Sequence, residues 1–466
     1  MHSLRPLGTL RSYDPLHTLQ LVRGYGPHVW DASGRRYLDM ICGYSACNLG
    51  HSHPRLVSAA MEQLQTLAFA NGGESPWRDA LESRLAELWR ASQSDKAQSD
   101  KAQGDKAQGD RAQGDRASDV KVWLSTTGAR GVELAWRVAS AVRPGGVARF
   151  DLGYHGRSMG SAMISDTARS NALDENCLHT LIIPFPRHGL AATGFASTGV
   201  PFVCSGEDCC VCDEALAVAK KLLSVHADRL SVLIVEPAIG ARGYWFASVP
   251  YYRRLIEFAK SLGLVVVSDE IQMGLGRLGP LLVGIDDGWS PDLVVLGKSL
   301  GGGMVPISAV LGPGDWMDRL PSAIESETFA ATPLACRIAA EVLRVMEEEV
   351  ISAGRVPKVG RPKADKPQAL SQKGGAFREL LRDNMPGCVR IEGRGMASVL
   401  SFDALGDPGV DVAKRFTVAL SGLGVLVHLT GPRRDRVALI PPLNIPEDML
   451  LDSVALFAAA SSAALR

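Results

Sequence analysis

The residue types best suited to covalent chemistry lie between Gly263 and Gly303, in GLVVVSDEIQMGLGRLGPLLVGIDDGWSPDLVVLGKSLGGG. Two short apolar runs there end in charge. Leu264–Ser268 leads into Asp269-Glu270, and Leu293–Leu296 leads into Gly297-Lys298. Lys298 sits on glycine-rich backbone, Gly297 before it and Gly301-Gly302-Gly303 after it, which a ligand can approach closely because no Cβ stands in the way. Such an amine can form a Schiff base with an aldehyde. A carboxylate facing it, Asp269, would keep a pyridine nitrogen protonated so that the ring serves as an electron sink. Those two roles together point to pyridoxal 5'-phosphate (PLP) as cofactor, with Lys298 as covalent anchor and Asp269 as ring partner.

Two strands must position this pair. Runs of β-branched and aliphatic residues bounded by Gly, Pro and Asp fit the central strands of a mostly parallel sheet covered on both faces. Ligands of such sheets bind outside the carboxyl ends of the strands, where Asp269 and Lys298 fall. Two competing readings fail. A Walker A loop ending in Gly297-Lys298-Ser299 needs glycine where Asp292 stands. The GxGxxG string Gly274–Gly279 comes well after its strand, and Pro280 follows where a helix should continue.

Asp269-Glu270-Ile271-Gln272, the GLGRLG string, Pro291-Asp292 and Gly297–Gly303 together resemble the signature of the class III aminotransferases, the ornithine, 4-aminobutyrate and acetylornithine group. The resemblance implies an α/β, fold-type I PLP-dependent transferase. Its large, mostly parallel-sheet domain would span residues 49–330. A smaller α/β domain would form from segments 1–48 and 331–466. The resemblance also implies that Gln272 hydrogen-bonds the cofactor's ring hydroxyl. Thr127-Gly128-Ala129 open a helix whose free N–H groups and positive dipole end suit a phosphate. The family places its phosphate on the matching residues. Tyr154-His155-Gly156-Arg157 resembles a motif in which the aromatic ring stacks on the cofactor and the arginine grips a substrate carboxylate, which gives those roles to Tyr154 and Arg157. Tyr44 matches a tyrosine that contacts substrate, and Glu236, ending the strand Ser231–Val235, is a further candidate on the substrate side. Glu327-Thr328-Phe329 matches the segment from which a partner's threonine reaches the phosphate. For Thr328 this implies a homodimer with a shared active site.

The chain also departs from the pattern. Arg130 stands where many members have Glu, Ala241 where ornithine and 4-aminobutyrate enzymes carry an acid, and Ala438 where an arginine grips the α-carboxylate. Arg436, one strand step away on the same face, is the candidate substitute. Losing the acid and the arginine together avoids stranding one charge in a dry site. The expected reaction is transfer of an amino group from an amino acid or ω-amine donor to a 2-oxo acid. Racemase, aminomutase, decarboxylase and non-catalytic PLP-binding relatives are the alternatives.

The 466 residues suffice for two lobes. With 50 basic and 50 acidic residues the formal charge is zero, so no basic field draws nucleic acid. No apolar run is long enough to span a membrane and no signal-peptide core appears, which makes the cytoplasm the expected compartment. Cys204, Cys209, Cys210 and Cys212 match no standard zinc spacing and read as loop thiols, with no metal expected. His51 and His53 read as holding a turn before Pro54. Val29-Trp30 and Tyr37–Ile41 flank hairpin chemistry. The repeat SDKAQ, SDKAQ, GDKAQ, GDRAQ, GDRAS within 90–119 reads as an unstructured insertion, because it has nothing large to bury. The Pro/Lys-rich stretch 351–375 reads as a second insertion.

Overall fold

The computed structural model describes residues 19–70, 75–102, 119–166, 180–187, 209–321, 327–351 and 368–466. Strands in chain order are β1 (Leu21–Tyr25), β2 (His28–Asp31), β3 (Arg36–Asp39), β4 (Val120–Ser125), β5 (Gly146–Phe150), β6 (Thr180–Ile183), β7 (Leu230–Val235), β8 (Val265–Asp269), β9 (Leu293–Leu296), β10 (Ser308–Pro313), β11 (Arg390–Arg394), β12 (Ala397–Ser401), β13 (Val425–Leu426), β14 (His428–Thr430) and β15 (Arg436–Leu439). Seven of them form the central sheet in the order β4-β10-β9-β8-β7-β5-β6. The pairs from β9 to β6 are parallel, and only β10 runs antiparallel to its neighbours β4 and β9. The two runs that carry the chemistry are β8 and β9. They lie side by side with Asp269 opposite Val295, so their charged ends emerge at the same edge.

Burial on both faces explains why these strands read as continuous apolar runs: all six residues of β7 and all four of β9 are buried. The covering helices are α1 (Pro76–Ala102), α2 (Gly128–Val142), α3 (Cys210–His226), α4 (Val249–Ser261) and α5 (Pro333–Val345). Helix α2 packs Val132, Ala135, Val138 and Ala139 onto Val147, Val232, Val265 and Val295 of the strands. On the opposite face, Leu216 of α3 and Leu255 of α4 meet Phe150, Leu233 and Val266.

Two four-stranded sheets, β1-β2-β3-β13 and β11-β12-β15-β14, complete the molecule. In the first, β3 pairs in parallel with β13, Leu38 opposite Val425, which ties the N-terminal hairpin to the C-terminal part of the chain. The hairpin turn forms as its sequence implies. The Asp31 carboxylate accepts from Ser33 N, Arg35 N and the Tyr37 hydroxyl, the local bonding that makes Asp a turn residue.

The five-residue repeat departs from expectation. Helix α1 continues through the first two repeats to Ala102. Those two repeats lack glycine, and Ala, Lys and Gln extend a helix already anchored by Leu81, Leu85 and Trp89 against the sheet. Residues 103–118, which begin the glycine-bearing repeats, lie outside the described residues, as do Cys204 and most of 351–375. Cys209, Cys210 and Cys212 form no disulfide. Among the described residues no helix is long and apolar enough to cross a membrane, and no cluster of His, Cys, Asp and Glu is set to hold a metal.

Candidate active site

Asp269 closes β8 with its carboxylate buried. Oδ2 lies 2.8 Å from His155 Nδ1, and Oδ1 accepts from the Ile271 N–H at 3.2 Å. His155 is itself buried and anchored by its own N–H to Ser165 Oγ at 2.8 Å, so the carboxylate is aimed by a fixed ring. His155 Nε2 is a buried polar atom with no partner among the described residues. The neighbouring acid Glu270 serves structure instead. It accepts from Ser268 Oγ and the N–H groups of Val283 and Gly284, and burial pushes its carboxyl up to about 8.

Lys298 follows β9 with φ of +42°, a left-handed conformation that costs energy in a residue with a side chain and recurs where function demands it. Burial brings its ammonium down to about 8, while the charges of Asp269 and Glu236 act in the opposite sense. The amine borders a cavity of about 410 Å³ lined by Ala46, Thr126, Thr127, Gly128, Gly303 and Met304, among others. Two glycines bring the walls together. A Cβ on Gly128 would lie 2.7 Å from Ile271 Cδ1, and one on Gly297 would lie 3.6 Å from Gly128 Cα.

The N-terminus of α2 forms the far end of this cavity. Thr127 caps it, its hydroxyl accepting from Arg130 N at 3.3 Å, while Ser308 Oγ donates to the Thr127 carbonyl at 2.8 Å. Arg130 in the first turn puts a positive charge at the positive end of a helix. Glu327 offsets it, accepting from Arg130 Nε at 3.2 Å and from Thr126 Oγ1 at 2.6 Å and Thr126 N at 3.2 Å. The departure at Arg130 is thus matched by an acid 197 residues away, a pairing no local pattern could reveal. Thr328, next to that acid, is exposed.

The remaining candidates do not all converge. Tyr154 is half-buried, with the exposed Arg157 guanidinium 5.8 Å from its ring centroid. Gln272 is buried and donates to the Tyr244 hydroxyl at 2.9 Å, which fixes its amide. Tyr44 meets His428 edge-on at 4.8 Å between centroids. The Glu236 carboxylate accepts from Tyr154 N at 2.8 Å and Gly240 N at 3.4 Å, and burial pushes it up to about 7. Arg436, the candidate substitute for the missing arginine, is committed within the protein. Its donors go to the carbonyls of Gly243 and Tyr244, to Ser401 Oγ and to Glu392 Oε2 at 3.1 Å, and its guanidinium stacks 3.7 Å from the Trp245 centroid. Ala438 is fully buried, opposite Val399 and His428. Beside Ala241, Arg242 is committed to Asp166 through two bonds of 3.0 and 2.8 Å.

A helix N-terminus and a depressed amine line one cavity, and a histidine-aimed carboxylate lies near enough for its charge to act on that amine, a set that fits a flat phosphorylated pyridine aldehyde. Sequence reasoning missed His155, Glu327 and Tyr244. The first was detectable as a buried polar residue inside a recognised motif; the other two act through contacts distant in sequence.

Comparison with known proteins agrees with this geometry. Residues 10–460 match the family model described as aminotransferase class-III. The chain is 28% identical over 450 residues to the ornithine aminotransferase of Bordetella pertussis, covering 94% of this chain and 90% of the relative. It is 26% identical over 465 residues to the 5-aminovalerate aminotransferase of Pseudomonas aeruginosa, covering 96% and 94%. The crystal structure of the ornithine aminotransferase from Toxoplasma gondii ME49 superposes with a TM-score of 0.72 at 25% identity, covering 96% of this chain and 90% of that one. The chain belongs to the class III aminotransferases and is a PLP-dependent transaminase, acting on an amino donor and an oxo acid.

Proposed function

We propose that this transaminase takes its amino group from donors that lack an α-amino-acid head, such as ω-amines and simple ω-amino acids, and passes it to a 2-oxo acid. One observation carries this reading: Ala438 stands in place of the arginine, and the neighbouring Arg436 gives its donors to Glu392 and to the Gly243 and Tyr244 carbonyls and stacks on Trp245, which leaves it unavailable to an α-carboxylate. Arg157, exposed beside the Tyr154 ring, would serve the acceptor's carboxylate, where a planar fork suits bidentate contact. The relative named for 5-aminovalerate exemplifies a donor whose amine is distant from its acid.

When bound, PLP supplies an electrophilic carbonyl and a ring that accepts electrons. The N–H groups of Thr127, Gly128 and Ala129 would hold its phosphate at the α2 N-terminus. Asp269, aimed by His155, would keep a proton on the ring nitrogen. Tyr154 would cover one ring face, and Gln272, fixed by Tyr244, would bond the ring hydroxyl. With its amine brought down to about 8, Lys298 holds a substantial neutral fraction at neutral pH. Its Nζ can therefore take a proton from the donor carbon and return it elsewhere.

Thr328, exposed on the surface, would contribute across a homodimer. Phe329, 65% exposed, packs 5.0 Å from the 40% exposed Phe69, an apolar surface beside the cavity segment that a second copy would cover. Sedimentation of the purified protein as a monomer at micromolar concentration would contradict that part. A spectrophotometric panel with pyruvate and 2-oxoglutarate as acceptors tests the donor class. Terminal amines and 5-aminovalerate are expected to outpace ornithine in kcat/KM, and efficient ornithine:2-oxoglutarate turnover would refute it.

A further inference from the structure

The register of the sheet β11-β12-β15-β14 sets three side chains in one row. His428 of β14 stands directly opposite Ala438 of β15, which stands opposite Val399 of β12. Residues paired in this way project from the same face, with Cβ atoms about 4.5–5.5 Å apart. Packing agrees with the register. Ala438 and Val399 join the core that holds Tyr244 and Trp245, whereas Val437 and Leu429, one residue along each strand, belong to the core on the other face. His428 therefore stands on the face from which an arginine at 438 would project. The nearest arginine on that face, Arg436, is committed to Glu392 and the Trp245 ring.

A second ring is held against His428. Cys42, Gly43, Tyr44 and Ser45 have φ of +54°, +57°, +58° and +70°, a turn of left-handed backbone that is costly for the three residues with a Cβ. Asp39 keeps the turn in place: its Oδ1 accepts from the N–H groups of Ile41 at 2.8 Å and Cys42 at 3.0 Å, and its Oδ2 lies 2.7 Å from His51 Nε2. The Tyr44 N–H donates to the Ile41 carbonyl at 2.9 Å, and the Cys47 N–H to the Cys42 carbonyl at 3.0 Å. Cys42 and Ser45 are buried by this turn, while Tyr44 stays 37% exposed with its ring perpendicular to that of the half-buried His428, 4.8 Å between centroids. Ala46, two residues on, lines the cavity beside Lys298. One short, internally bonded segment thus joins the ring pair to the cavity wall.

We propose that His428 is a specificity-determining residue on the donor side, forming with Tyr44 an aromatic corner beside Ala438 that selects primary amines carrying an aryl group. This narrows the donor class proposed above, on which it rests. In place of a guanidinium, the face offers a methyl group between an isopropyl group and two rings set at right angles. An aryl tail can meet rings edge to face, and each such pair adds attraction beyond the area it buries. A straight alkyl tail gains area alone. Contact made equally in the ground state and the transition state lowers KM and leaves kcat.

The test is steady-state turnover of the PLP-loaded enzyme with pyruvate as acceptor and benzylamine, butylamine or 5-aminovalerate as donor. Benzylamine is expected to exceed butylamine in kcat/KM by about tenfold. His428→Leu, which keeps bulk and removes the ring, should erase most of that ratio through KM, and His428→Phe should restore it. No aryl preference in the unaltered enzyme, or an equal loss for both amines in His428→Leu, overturns the proposal. So does a larger loss for 5-aminovalerate than for benzylamine, which would make His428 a carboxylate partner. Efficient ornithine turnover would defeat the donor class instead, with the benzylamine-to-butylamine ratio still reading His428 on its own. Should His428→Leu not fold, the ratio in the unaltered chain and its loss in Tyr44→Leu decide it.

Discussion

The ends of β8 and β9 and the wall built by β12, β14 and β15 use the same kinds of side chain to opposite ends. At the strand ends, polar groups are held ready: Asp269 by His155, Gln272 by Tyr244, and Lys298, which borders the cavity, by a strained backbone. At the wall, the cation is turned inward, Arg436 being spent on two carbonyls, a hydroxyl, Glu392 and an indole face. The first arrangement keeps charges available to a ligand, and the second satisfies them within the protein. The cofactor end thereby follows the class III pattern, while the substrate end departs from it at Ala241, Ala438 and Arg436.

Substitution at the two ends should separate them. Lys298→Ala is expected to lower kcat by roughly 10²–10⁴-fold or more, and Asp269→Asn by at least about 10²-fold, both with an unchanged melting profile. Comparable losses from Arg436→Met in kcat/KM would erase the distinction. Instead Arg436→Met should leave the buried Glu392 with only Arg390, 4.0 Å away, and cost up to about 3–5 kcal/mol of stability, read by denaturant melts, with KM for carboxylate substrates nearly unchanged. A smaller effect is expected at the phosphate end. In a cycle of Arg130→Ala and Glu327→Ala, PLP affinity should show a coupling of about 1 kcal/mol, and strict additivity would mean the ion pair positions nothing. The smallest is a slope. The imidazole of His51 is raised from 6.5 to about 10, so folding binds a proton between those values. Its stabilisation is complete below pH 6.5 and is lost as pH rises through 10. The melting temperature of the natural chain should therefore fall more steeply between pH 7 and 10 than that of His51→Gln, the two converging at the alkaline end.

The same contrast explains what the sequence disclosed. Strands β8 and β9 were legible because burial on both faces leaves an unbroken apolar run, and their functional residues lie immediately beyond it. The α2 N-terminus was legible from Thr127-Gly128-Ala129 and the apolar spacing behind it. The partners of Arg436 were not legible, because strand periodicity gives the face of a sheet but not what packs on that face, here Trp245 from a distant loop. Arg130 looked like a defect until Glu327 was placed beside it. Helix α1 outran its expected end because a repeat with no core of its own can still extend a helix anchored elsewhere. Glu236 had a side chain suited to substrate, yet local backbone N–H groups claimed it.

The most direct measurement is to reduce the PLP-loaded enzyme with borohydride, digest it and locate the pyridoxyl mass by tandem spectrometry. The account requires one label, on the peptide carrying Gly297-Lys298-Ser299, and its loss in Lys298→Ala. A label on another lysine, or none in an enzyme that still transaminates, would contradict it.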